Sequence, residues 1–136
     1  MVVLLIVAIV QAARDDLTPE EEEIFAKNCA DPPYEDWMLD CVRRTDPKSR
    51  STMFQAFFRG EYLDQRKAVE ETGIPVAVVN GQDEPFINIK FISGLKFGNL
   101  WGGKCIEMPG LLHAPFWAKP KEFQDILDRF VEDCSK

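Results

Sequence analysis

The sequence predicts an α/β fold with a small parallel sheet, and three observations carry that expectation. Val76-Ala77-Val78-Val79 is a continuous apolar run, as in a strand covered on both faces, where a half-exposed strand would alternate. A second strand-like piece, Lys104-Cys105-Ile106-Glu107-Met108, is expected as its neighbouring parallel strand. Around both lies text with helical period and helix punctuation, from Leu17 to Thr72 and again from Lys119 to the end.

The first ten residues are apolar and rich in β-branched side chains. They are much shorter than the ~20 apolar residues a membrane-spanning helix needs. Val10-Gln11-Ala12-Ala13 has the look of a small-residue cleavage site, yet no Lys or Arg precedes the apolar stretch as a signal peptide requires. A buried strand over Val2 to Val10 is therefore expected, with a secretory signal as the alternative.

Four helices are expected next. Thr18 and Glu21 have capping-box spacing, Pro19 suits the first helical position, and the acids that follow sit at the favourable end of the dipole. This helix should run to about Cys29. Asp31-Pro32-Pro33 stops it and introduces a second, with Trp37, Met38, Cys41 and Val42 on one face. Asp46-Pro47 opens a third, with Met53, Phe54, Phe57 and Phe58 as its apolar stripe and Gly60 as its stop. A fourth spans roughly Glu61 to Thr72. Taken singly, these aromatics are expected to fill a core; as a group they suit a cap whose inner face lines an acyl-binding pocket.

Between the two strands, Ile87, Ile89 and Phe91 alternate as a strand would, while Phe91, Leu95 and Phe97 also suit a short helix followed by a loop. Gly98-Asn99-Leu100-Trp101-Gly102-Gly103 is loop by composition. After Lys119-Pro120, the residues Phe123, Ile126, Leu127, Phe130 and Val131 fall at i, i+3, i+4, i+7 and i+8, an amphipathic helix expected to pack on a sheet face. No repeat or low-complexity linker interrupts the chain. One domain over 1–136 is expected, with a helical cap segment at 17–72 and a core at 74–136.

Charge and cysteines exclude several classes of function. The chain carries 16 Lys and Arg against 23 Asp and Glu, a net charge of −7, which leaves no basic face for nucleic acid. The four cysteines, at 29, 41, 105 and 134, show neither C-x-x-C spacing nor a dense disulfide framework. Reduced and mostly buried thiols are expected, in a cytoplasmic setting without a membrane partner. A single His and scattered Cys do not make the usual zinc site, and no metal or other cofactor is expected.

The chemistry concentrates in two loops. The first strand runs into Asn80-Gly81-Gln82-Asp83-Glu84-Pro85, and the second into Pro109-Gly110-Leu111-Leu112-His113, which holds the only His of the chain. Functional groups of open parallel sheets gather beyond the carboxyl ends of the strands. Gly81 is expected to let the backbone turn sharply there, so that the acids and His113 land on one rim. A carboxylate beside an imidazole fixes its tautomer and stabilises the imidazolium formed in catalysis. Either acid, taken alone, reads as an ordinary solvated turn residue, and a lone His is more often structural than catalytic.

Three runs then carry a resemblance: Val78-Val79-Asn80-Gly81-Gln82-Asp83-Glu84-Pro85-Phe86, Lys96-Phe97-Gly98-Asn99-Leu100-Trp101, and Gly110-Leu111-Leu112-His113-Ala114-Pro115-Phe116. They resemble the C-terminal half of an α/β-hydrolase. Within that superfamily they are most similar to the N-acyl-homoserine lactonases of α/β-hydrolase type, quorum-quenching enzymes that open the lactone ring without metal. The likeness covers about Leu17 to Cys134 and is stronger from Ile74 onward. It implies a partial α/β-hydrolase fold, with strands six to eight of the parallel sheet and the cap, and a small ester or lactone as substrate of the complete enzyme. Val2 to Val10 would then stand where the sixth strand does. In the superfamily the acid usually lies three residues after the strand-end glycine, which points to Glu84 as the acid serving His113, with Asp83 as the alternative. The chain departs from many relatives in having Leu112, where they have Gly, before the histidine.

The nucleophile is missing from the sequence. No G-x-S-x-G elbow and no HGGG-type oxyanion motif occurs, and Ser49, Ser51, Ser93 and Ser135 all lack that setting. Three readings follow: a hydrolase segment, such as a truncated gene product, whose family activity is ester or lactone hydrolysis but which is inactive alone; a non-catalytic interaction module forming a homodimer through an open sheet edge; and a small secreted protein.

Overall fold

A computed structural model describes residues 12–28 and 31–136. The strand expected over Val2 to Val10, and Cys29, lie outside the described residues. The chain divides into two compact units between Leu63 and Asp64.

The first unit is helical. Helix α1 (Pro19–Asn28) begins as its sequence dictates. The Glu21 N–H donates to Thr18 Oγ1 at 3.3 Å, and Glu21 Oε2 accepts the Thr18 N–H at 2.9 Å, a reciprocal capping box. Helix α2 (Asp36–Arg44) packs on α1, and Arg43 Nε reaches Glu22 Oε2 at 3.2 Å. Helix α3 (Pro47–Phe58) opens with Pro at its first position while Asp46 accepts the Lys48 N–H at 2.9 Å. It stops at Gly60, whose φ of 72° is the left-handed conformation a helix end favours. The Arg50 guanidinium lies 5.4 Å from the centre of the Phe25 ring, tying α3 to α1.

The expectation that the aromatics of this region fill a core is not met. Met53, Phe57 and Phe58 face solvent, Phe58 with 68% of its surface exposed, and Phe57 stacks on the equally exposed Tyr62 at 5.1 Å. Helix α2 likewise buries no residue, and Trp37 is exposed. Helical period places residues on one face; it does not say what covers that face.

The second unit carries the sheet. Helix α4 (Gln65–Glu71) is shorter than the expected 61–72, because Asp64 caps it by accepting the Lys67 N–H at 2.9 Å. Strand β1 (Val79–Gly81) pairs in parallel with β2 (Ile106–Met108), with Val79 opposite Ile106, Asn80 opposite Glu107 and Gly81 opposite Met108. Upstream of β1, Val76 makes an isolated parallel bridge to Leu100. The expected strand was longer and covered on both faces. Instead Ile74 is exposed and Val76 to Val79 are only half-buried, so the apolar run marked the strand correctly but overstated its cover.

The crossover resolves the ambiguity over residues 87–97 in favour of a helix. Helix α5 (Ile89–Ser93) starts where Asn88 Oδ1 accepts the Phe91 N–H at 3.0 Å. A 3₁₀ turn (Trp101–Gly103) then leads to β2. After the histidine loop come the short α6 (Pro115–Ala118) and α7 (Pro120–Cys134), again with Pro at the start. Helix α7 packs through Ile126, which is buried, and Phe130, whose ring meets that of Trp101 edge-on at 5.5 Å. Leu127 and Val131 of the expected apolar face remain exposed.

Cys41, Cys105 and Cys134 are free thiols, but Cys41 and Cys134 are exposed and Cys105 is half-exposed, against the expectation of burial. Among the described residues no helix is long and apolar enough to cross a membrane.

Candidate active site

The site grows from the parallel register of β1 and β2. Gly81 and Met108 are opposite one another and both buried, so the two strands end together and their loops leave the same edge. Two backbone bonds then fix one loop against the other, and a third closes the acid loop on itself. The Gln82 N–H donates to the Met108 carbonyl at 2.9 Å, the Asp83 N–H to the Leu111 carbonyl at 2.9 Å, and the Glu84 N–H closes the turn on the Gly81 carbonyl at 3.3 Å.

Gly81 serves a different purpose from the sharp turn expected of it. Its φ is not in the left-handed region, and it is the last residue of the strand. A Cβ built there would overlap the carbonyl oxygens of Leu111 and Leu112, so the glycine allows the histidine loop to pass directly against the strand end. The left-handed residue of this corner is Gly110, with φ 70°, in the histidine loop itself.

This arrangement brings Glu84 and His113 together. Glu84 Oε2 lies 2.8 Å from His113 Nδ1. The other oxygen, Oε1, accepts the backbone N–H groups of Phe86 at 2.6 Å and Ile87 at 3.2 Å. The carboxyl group is therefore held at both oxygens, which is what a group with only 3% of its side chain exposed requires. His113 by contrast keeps 41% of its side chain exposed. An ionised carboxylate only accepts, so this bond puts the ring proton on Nδ1 and leaves Nε2 as the basic nitrogen. The Phe86 ring stands perpendicular to the imidazole, with centroids 4.8 Å apart and an interplanar angle of 89°.

Asp83, the alternative acid, is exposed; what it contributes to the corner is its backbone N–H to Leu111. The Leu112 carbonyl, like that of Leu111, passes against Gly81, a backbone approach that does not depend on the side chain at 112. Sequence reasoning missed Phe86. Its one signal was proximity, two residues beyond Glu84 in the same loop. Among the described residues no three His, Cys, Asp or Glu side chains cluster as metal ligands would. A cleft of about 250 Å³ in the helical unit, lined by Lys27, Tyr34, Met38 and Leu39 among acids, contains neither residue of the dyad. The dyad is taken as the candidate site because it pairs a carboxyl group with an imidazole at hydrogen-bond distance, an arrangement that the lining of the cleft, which includes no His, does not offer.

Of the comparisons with known proteins, the one with solved structures finds matches. No family model and no curated protein matches the chain. Among solved structures, the N-acyl homoserine lactonase AidH complexed with N-butanoyl homoserine matches with a TM-score of 0.91 and 40% identity, over 95% of this chain and 47% of that one. A serine-to-glycine mutant of AidH complexed with N-hexanoyl homoserine lactone matches at 0.89 and 41%, over 93% and 47%. A glutamate-to-glycine mutant complexed with N-hexanoyl homoserine matches at 0.91 and 40%, over 95% and 47%. The chain thus spans about half the length of the lactonase it matches.

Proposed function

We propose, for a chain that carries the C-terminal half of an α/β-hydrolase and is similar to AidH, that it supplies the general base and its orienting acid to the hydrolysis of a lactone or ester. The observation that carries this reading is the 2.8 Å bond from Glu84 Oε2 to His113 Nδ1 at the common end of two parallel strands. His113 is the base, Glu84 its acid, and the substrate class is an N-acyl homoserine lactone.

In the complete site, His113 Nε2 takes the proton of a serine hydroxyl as that oxygen attacks the carbonyl carbon. Glu84 stabilises the imidazolium that results, and its two backbone donors keep it from swinging away. The imidazolium then gives its proton to the departing ring oxygen, leaving an acyl-enzyme and a free hydroxyl. Nε2 next takes a proton from water as the water attacks the acyl carbon, and returns it to the serine oxygen as the acid leaves. The serine and the oxyanion donors come from outside this sequence, which has no G-x-S-x-G run. AidH complexed with a homoserine, and its serine mutant complexed with a lactone, fit that division of labour.

The test is a chimera in which this chain replaces the matching half of AidH. It is expected to open N-hexanoyl homoserine lactone, and His113→Ala in it to lower kcat/KM by about 10⁴-fold. The chain by itself is expected to hydrolyse neither that lactone nor p-nitrophenyl acetate. A folded chimera whose turnover survives His113→Ala would refute the assignment.

A further inference from the structure

We infer that Phe86 is a positioning residue for His113, its backbone holding the acid and its ring holding the base. This inference rests on the reading of Glu84 and His113 as a working pair. The Phe86 N–H gives Glu84 Oε1 its shorter bond, 2.6 Å, while the side chain of the same residue meets the imidazole edge-to-face at 4.8 Å.

The geometry explains why a second constraint is needed. The imidazole is joined to the backbone through Cβ and held at Nδ1 by a single hydrogen bond, and with two-fifths of the side chain exposed that one bond is open to competition from water. Terminal torsions of this kind are broad, so neither the rotamer nor the bond alone selects one orientation. A perpendicular aromatic neighbour adds the second contact, because edge-to-face is an arrangement such pairs favour and a ring that turns away loses it. Placing both constraints on one residue also couples them. Any movement of the loop that withdraws the Phe86 ring also draws its N–H from the carboxylate. Acid and base then lose a constraint together, with the Ile87 N–H left as the other backbone donor to Oε1.

The experiment follows the imidazole of the ¹⁵N-labelled chain by NMR, reading the Nδ1–H proton and its exchange with water. In the unmodified chain one tautomer and slow exchange are expected. Phe86→Leu keeps the backbone donor and most of the volume but removes the ring; exchange should quicken by roughly 3- to 10-fold, the population change an aromatic pair of ordinary strength makes. Phe86→Tyr keeps the ring and should restore the original rate. Should Phe86→Leu lose its circular-dichroism melting transition, Phe86→Met is judged by the same rate. Unchanged exchange in the Leu or Met variant, or equally fast exchange in Phe86→Tyr, would overturn the inference. Glu84→Gln provides the separate control: it should release Nδ1–H whatever stands at 86. If it does not, the acid–base pairing itself fails, whereas a sensitive Glu84→Gln with an insensitive Phe86→Leu removes only the role of Phe86.

Discussion

In the helical unit, α3 turns Met53, Phe57 and Phe58 to solvent, and the one buried apolar residue among the described helical positions is Ala26. In the sheet unit, Met108, Ala114 and Ile126 are buried, and backbone bonds join loops far apart in sequence, such as Asp83 to Leu111 and Val76 to Asn99. The helical unit is marked by contacts within a turn or two, a capping box, an Asp cap, a proline start, with Arg43–Glu22 and Arg50–Phe25 as its longer ties. The sheet unit is organised by contacts across twenty residues or more. Isolated helices as short as α1 to α3 are marginal in water, so an apolar face left exposed is the part of the molecule least defined by its own packing. The acid–imidazole pair sits on the other kind of scaffold, where the register of two strands determines the positions of both groups.

That contrast is sharpest for truncation of apolar side chains. Met108 is 5% exposed and lies at the end of β2 under the loop bonds; Met108→Ala is expected to cost the sheet unit roughly 2–5 kcal/mol. Phe58→Ala, which removes a larger side chain, should change stability by less than about 0.5 kcal/mol because that ring is already in water. Urea unfolding of both variants checks the difference; equal losses would mean that the helical face is covered after all. Next in size is Gly81→Ala. One methyl group against the Leu111 and Leu112 carbonyls must push the histidine loop away, at a cost of about 1–3 kcal/mol. The Nδ1–H signal of His113 should disappear with it, although both members of the pair are untouched.

What was legible in the sequence follows the same division. Thr18 with Glu21, Asp46-Pro47 and Lys119-Pro120 marked helix starts because the residues that make a cap are neighbours in the chain. The parallel pair and its two loops were legible because a strand end, a glycine and an acid occur in fixed order, repeated by a strand end and the single His. Burial was not legible. The periodicity of Trp37, Met38, Cys41 and Val42 is identical whether or not another surface lies against it, and the exposure of Cys41 and Cys134 depends on packing that no local pattern encodes. The purpose of Gly81 was misread for the same reason, since the carbonyls it makes room for lie about thirty residues away. Phe86 was invisible because an aromatic in a loop gives no sign of which ring it will meet.

A smaller effect is expected at the cap of α1. Thr18→Ala removes the acceptor for the Glu21 N–H while keeping the backbone N–H that the Glu21 carboxylate accepts, for about 1 kcal/mol of helix stability. Far-UV circular dichroism should register partial loss of helix while the imidazole signals of the sheet unit stay as they were.

Acid provides the smallest perturbation and reaches both units through carboxylates of one kind. In the helical unit the Thr18 N–H, then Arg14, hold the Glu21 carboxyl below its ordinary range. In the sheet unit Lys136, then the Trp101 indole N–H at 3.1 Å, do the same to Asp133. Both folded values lie below the unfolded ones, so each contribution is complete above the unfolded value, near 4.5 for Glu21 and 3.8 for Asp133, and is lost as pH falls through the lower folded value. Both groups are open to solvent, and the effect is accordingly slight. Its location is what discriminates. With Trp37 and Trp117 replaced by Phe, the fluorescence of Trp101 should change in one step below about pH 4 as Asp133 gains a proton and no longer accepts as an anion. Asp133→Asn should abolish that step and leave the loss of α1 helix in acid unchanged, because Glu21 and Asp133 anchor different units. A Trp101 step that persists in Asp133→Asn would show that acid reaches the indole by loosening the packing of α7 as a whole, through Phe130 as well as the tether.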